Sequence, residues 1–171
     1  MRPPCLTIVA LILAALLATA CPPGDRNVVR REGRPDVYLV DSTDPGMHAA
    51  IDSAQSSVSY LIARLQAPPP SQTDLAVKVR VAEGTTVEHI WVTDVTYDSG
   101  VLRGVVNNDP VYLRHLKLGD SLRFRTAELS DWMAVDHGKL VAGYTLRLLR
   151  ARMGPRERAR LDSSLNFTIQ P

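Results

Sequence analysis

The chain has 171 residues, 45% of them hydrophobic and 22% charged, with two cysteines and a formal charge of +2. That length suits roughly one domain with a core of modest size. Two thiols exclude a disulfide-rich scaffold and a four-thiolate zinc site, and so small a charge does not by itself point to nucleic acid.

Residues 1–21 read as an export leader. Arg2 supplies the charged start, an apolar run extends from Leu6 to Leu17, and Ala18-Thr19-Ala20 sets small residues before Cys21. The run is too short for a comfortable membrane span. Ala18-Thr19-Ala20-Cys21 resembles a bacterial lipobox, although Leu17 stands one place before the usual leucine position and Ala18 fills that slot. Lipidation of Cys21 is the expectation, with ordinary cleavage near the same site as the other outcome. Either way the domain is expected outside the cytoplasm, on the periplasmic or cell-surface side. Cys5 would leave with the leader, and the loss of Arg2 would lower the net charge to about +1. Two or more acyl chains on Cys21 would hold the protein stably to a membrane.

Residues 22–36 are rich in Pro, Gly, Arg and Asp and read as a flexible tether. The single folded domain is expected over 37–162, beginning with a short strand at 37–40. Asp44-Pro45 then offers an N-cap followed by a first-turn proline. Met47, Ala50, Ile51, Ala54, Val58, Leu61, Ile62 and Leu65 recur at helical spacing, which predicts one amphipathic helix ending at Pro68-Pro69-Pro70. Beyond it the period falls to two, predicting strands at 75–81, 87–97, 101–106, 111–113, 121–126 and 132–135. Asp98-Ser99-Gly100 and Asn107-Asn108-Asp109-Pro110 read as turns. A helical pattern is expected over 140–153, a short helix after Gly154-Pro155 through Leu161, and a loose tail over 163–171.

Several blocks in this order are familiar. Asp44-Pro45-Gly46-Met47, Ala76-Val77-Lys78-Val79, Val87-Glu88-His89-Ile90-Trp91-Val92-Thr93-Asp94-Val95, Asn107-Asn108-Asp109-Pro110-Val111, Leu118-Gly119-Asp120, Ser130-Asp131-Trp132-Met133, Gly138-Lys139-Leu140-Val141-Ala142-Gly143-Tyr144-Thr145 and Arg152-Met153-Gly154-Pro155 resemble the YegJ-like family, bacterial "domain of unknown function" number 2314. The resemblance covers residues 44–162. It implies a small α+β domain and no established activity. Ala142 departs from the pattern, which has a second glycine beside Gly143, so local backbone freedom is in question there.

Gly119-Asp120-Ser121-Leu122 spells the signature of a large serine-hydrolase family. Those enzymes need a parallel α/β sheet and a late Asp-x-x-His supplying the base, and this chain shows neither pattern. Without a base the hydroxyl is a poor nucleophile, so the string reads as a turn feeding a strand. The histidines, His48, His89, His115 and His137, form no zinc motif, and no metal or cofactor is expected. Strand alternation sends His89 and Trp91 to one face and Glu88, Val92 and Asp94 to the other. His89, Trp91, Asp131, Trp132 and Tyr144 are the candidate binding patch, each with a plainer reading as core filling or a capping group. Arg147, Arg150, Arg152 and Arg156, with Arg158 and Arg160, form a candidate basic surface that could face anionic headgroups or only water.

The expected architecture is α+β, with an N-terminal amphipathic helix on a small antiparallel sheet or partial barrel, closed by C-terminal helices. The expected function is a non-catalytic envelope module binding a protein or cell-surface ligand, an inhibitor or immunity-type protein being a narrower form. No complete catalytic constellation is seen, which favours it. The alternatives are a small hydrolase-type enzyme using His89 and nearby acids, and a purely structural envelope component. The expected partners are the membrane, through Cys21, and an envelope protein; nucleic acid is not expected.

Overall fold

The computed structural model describes residues 41–170 together with the backbone of two short strands, β1 (Val28–Val29) and β2 (Val37–Tyr38). These two pair antiparallel and belong to a unit, residues 1–40, separate from the domain that follows. The expected leader, Cys21 and most of the expected tether lie outside the described residues.

The domain begins with α1 (Pro45–Ser56), for the reason its sequence suggests. The Asp44 carboxylate accepts from the Met47 amide at 2.9 Å, and Pro45 fills a first-turn position whose amide would have no helical partner. The apolar stripe does not continue as one helix. It breaks at Ser57 and resumes as α2 (Val58–Gln66). The Ser57 hydroxyl donates to the Ala54 carbonyl at 2.9 Å and accepts from the Trp132 indole at 2.8 Å, so the break satisfies a buried tryptophan.

Six antiparallel strands follow, in the spatial order β6-β5-β4-β3-β7-β8. They are β3 (Gln72–Glu83), β4 (Thr86–Asp98), β5 (Val101–Val106), β6 (Ser121–Arg125), β7 (Leu129–Asp136) and β8 (Lys139–Ala142). Three hairpins close on two residues each: Gly84-Thr85, Ser99-Gly100 and His137-Gly138. Both residues of the second and third have positive φ, as the twist of tight hairpins requires.

Period two assigns the faces. On one face Val77, Val79, Val92, Leu102, Phe124, Leu129, Trp132 and Ala134 meet Ala54 and Leu61 from the helices. A second cluster, Ile90, Val106, Leu113 and Leu116, lies under the 107–120 loop. Each fully buried Leu or Val contributes about 1.5–3 kcal/mol against exposure, so this face holds the domain together.

The expected strand at 111–113 is absent, because the Glu88 carboxylate accepts the amides of Val111, Tyr112 and Leu113. Those donors cannot also join a ladder. The expected helix over 140–153 starts later: β8 ends at Ala142, and α3 (Tyr144–Arg152) begins after left-handed Ala142 (φ 54°) and Gly143 (φ 69°). α4 (Pro155–Ser164) follows. The tail expected to be loose is tied at Thr168, which bridges Lys139 and exchanges backbone hydrogen bonds with Gly138 and Leu140. No helix of the described residues is long and apolar enough to cross a membrane.

Candidate functional site

α1, α2 and the 107–120 loop cover one side of the sheet, and the side chains of the other side, which the start of α3 reaches through Thr145, arrange the chemistry. In the centre, β3 pairs with β4 and β7 so that Lys78 stands opposite Trp91 on one flank and opposite Asp131 on the other. In-register residues share a face, so three sequence-distant groups converge. The next row sets Arg80 opposite His89. A bulge between Lys78 and Val79 in the β7 pairing adds Ser130 beside them.

The centre is a relay of hydrogen bonds. Lys78 Nζ donates to Thr145 Oγ1 at 3.1 Å, and Thr145 Oγ1 donates to Asp131 Oδ2 at 2.6 Å. Asp131 also accepts from the amides of Tyr144 and Thr145, at 3.1 and 2.8 Å, and from Trp132 at 2.8 Å. It therefore receives the unpaired amides at the start of α3, where a carboxylate is also favoured by the helix dipole. Burial pushes the Asp131 carboxyl upward, opposed by Thr145, the Lys78 charge and the Trp132 amide. Burial likewise pushes the Lys78 amine down, opposed by Asp131. The ammonium also stands 5.1 Å from the Trp91 ring centroid, a cation–π distance.

His89 Nδ1 lies 2.7 Å from Ser130 Oγ, and that hydroxyl is within donating distance, 3.2 Å, of the Lys78 carbonyl. Ser130 thus gives its proton to a backbone acceptor and accepts from Nδ1, which fixes the tautomer. His89 keeps an exposed portion, yet its ring is crowded enough that desolvation, then the charges of Lys78 and Arg80, lower its pKa from 6.5 to about 4. It is neutral at neutral pH.

Chemically this arrangement holds and presents more than it activates. The one hydroxyl touching the imidazole is buried and already donating, and the Asp131 carboxylate is filled by donors. Nucleophilic attack requires a base free to take the nucleophile's proton. Among the described residues no group of three or more His, Cys, Asp or Glu side chains converges to hold a metal. What the face offers outward is the Trp91 ring beside Lys78, with Arg80 and His89 exposed.

The predicted patch is split by the sheet. His89, Trp91 and Asp131 share the centre just described. Trp132 is fully buried on the helix side, edge-on to Tyr60 at 5.8 Å, and Tyr144 packs against the same core. The predicted basic surface is largely engaged as well. Arg147 donates to the carbonyls of Ala142, Leu140 and Gln170, Arg150 pairs with Asp162 at 2.7 Å, and Arg152 pairs with Asp44 at 2.6 Å. Arg156 is exposed. Sequence reasoning missed Lys78, Ser130 and Thr145. A lysine inside the apolar run Ala76-Val77-Lys78-Val79 was a usable signal for the first; the other two needed the fold.

Comparison with known proteins adds family membership. The sequence profile of DUF2314, "Uncharacterized protein conserved in bacteria", matches residues 44–168, past the expected limit at 162 and including the Thr168 bridge. The chain is 37% identical over 71 residues to "Uncharacterized protein YegJ" of Escherichia coli K12, covering 42% of this chain and 46% of that protein. It is 29% identical over 136 residues to a "Putative ankyrin repeat protein" of Neisseria meningitidis serogroup B, covering 75% and 54%. The matches thus span about half the length of these curated relatives. No solved structure matches the chain.

Proposed function

Starting from the premise that the chain belongs to the DUF2314 family of bacterial proteins, we propose that it is a non-catalytic binding module of the cell envelope. It is anchored by lipid on Cys21 and presents the open face of its sheet to a protein or cell-surface ligand. The observation that carries this reading is the sidedness of the sheet. One face is filled by helices and apolar side chains, while the other sets Trp91, a desolvated Lys78, Arg80 and His89 in adjoining register. An aromatic ring with cationic neighbours, on a rigid strand, is the composition that anchors interfaces. The catalytic alternative is not favoured, since Ser130 and Asp131 are committed to internal partners.

Capture from the native envelope tests the reading with the full chain as bait. Trp91→Ala is expected to lose the partner that the wild type and Tyr60→Ala both retain; equal retention by all three would refute it. The anchor has a separate test. Labelled palmitate should incorporate into the wild type and not into Cys21→Ala, and equal incorporation in both would remove the anchor.

A further inference from the structure

At the far side of the open face, β4, β5 and β6 enclose a cleft of about 440 Å³ lined by Asp94, Thr96, Arg103, Gly104, Ser121 and Arg123. Its layout follows from register. Thr96 pairs with Arg103, and Arg103 pairs in turn with Arg123, so two guanidinium groups stand directly opposite one another across neighbouring strands. Like charges in that position destabilise a sheet unless something else neutralises them.

Within the described residues nothing does. Neither arginine makes a side-chain hydrogen bond or ion pair there, in contrast to Arg64, Arg147, Arg150 and Arg152, which are all partnered. Asp94 lines the same cleft without bridging to either guanidinium. It sits where the β4–β5 register shifts, with a left-handed backbone (φ 51°), a conformation costly for a non-glycine residue. Bulges and strained residues of this kind collect beside functional sites. Gly104 makes the floor close-packed: a Cβ there would fall 2.6 Å from the Thr93 carbonyl oxygen.

We infer that this cleft is a binding site for a phosphate monoester, clamped by Arg103 and Arg123. Guanidinium groups match phosphate oxygens through paired N–H donors, and two of them face one another here with no internal anion between. The Thr96 and Ser121 hydroxyls add donors on the same face, from the row of the arginines and the row beside it. Asp94 repels an anion, so the phosphate seats on the arginine side, and the carboxylate accepts from a hydroxyl where the ester carries one, as glycerol 3-phosphate does. The monoester can be a soluble metabolite or a lipid headgroup. This inference does not depend on a partner at Trp91, which shares β4 with the cleft but does not line it.

The test is titration of the full chain with glycerol 3-phosphate and, separately, with vesicles of phosphatidylcholine with or without phosphatidic acid, followed by calorimetry and by the arginine side-chain NMR signals. Saturable binding with shifts at Arg103 and Arg123 is expected for at least one probe. Arg103→Gln and Arg123→Gln should each weaken it about tenfold, the size of one lost charge-assisted bond. Trp91→Ala should leave it unchanged, so that a failed protein interface and a failed anion site give different results. A response to glycerol 3-phosphate assigns a soluble ester, and a response to phosphatidic acid vesicles alone assigns a headgroup; both support the site. No response to either probe overturns it. So does an equal loss in Arg156→Gln, which would make the binding a matter of net charge.

Discussion

The two tryptophans of this protein sit on strands of the same sheet, and they live in different worlds. Trp132 is fully buried beneath the helices, with its indole N–H held by Ser57 and its ring edge-on to Tyr60. Trp91 is half-buried on the opposite side, within cation–π distance of Lys78. The difference teaches how one antiparallel sheet divides its labour. Alternate residues of β3 and β7 build the core with one set, Val77, Val79, Trp132 and Ala134, and a polar centre with the other, Lys78 and Asp131. On the proposed reading, stability and recognition are carried by interleaved residues and can be altered separately.

The sharpest way to break this contrast is to truncate both rings. Trp132→Ala should cost about 3–5 kcal/mol, the usual range for a buried tryptophan, and leave Ser57 without its donor. Trp91→Ala should cost no more than about 2 kcal/mol, because part of its surface is already in water. Denaturant unfolding of the two variants reads the difference, and similar losses would show that the open face is structural. Asp131→Ala probes the polar centre: it strands Lys78 and the first amides of α3, and should destabilise by about 3 kcal/mol or more. Hydrogen exchange at the Tyr144 and Thr145 amides should rise with it.

Smaller effects sharpen the same account. Ala142 occupies a left-handed backbone that costs a non-glycine residue about 1–2 kcal/mol, so Ala142→Gly should stabilise the domain by roughly 1 kcal/mol. A thermal melt that fails to rise would mean that the strain is relieved elsewhere. The smallest effect is a pH dependence. The folded-state pKa of His89 lies near 4, below the ordinary 6.5, so the unfolded chain takes up its proton first. The contribution of neutral His89 is fully present above about 6.5 and is lost as pH falls toward 4. His89→Gln should flatten the decline of the denaturant midpoint in that window; an unchanged slope would remove His89 as its source.

Much of this arrangement is written locally. The alternation of Leu75, Val77 and Val79 with Lys78 and Arg80 already separates two faces, and Asp44-Pro45 marks a helix start that the structure keeps. Which face the helices would cover is another matter, since period two is symmetrical until something packs on it. Trp132 and Trp91 look alike in a strand pattern, and only the contact with Ser57 and Tyr60 tells them apart. The same holds for residues 111–113, where Glu88 removes three amides from any ladder, and for Thr145, whose hydroxyl reaches Asp131 across 14 positions. In each case a long-range polar contact overrides a sound local pattern. The like-charged pair of Arg103 and Arg123 is equally invisible before the register of β5 and β6 is known.

The central claim is that the open face, and not the helical one, meets the partner. Site-specific photocrosslinking in the native cell tests it most directly, using Arg80→p-benzoylphenylalanine on the open face and Asp52→p-benzoylphenylalanine on the exposed side of α1. Adducts of one discrete mass from position 80, with none from position 52, are the predicted result. Adducts from position 52 alone, or none from position 80, would contradict it.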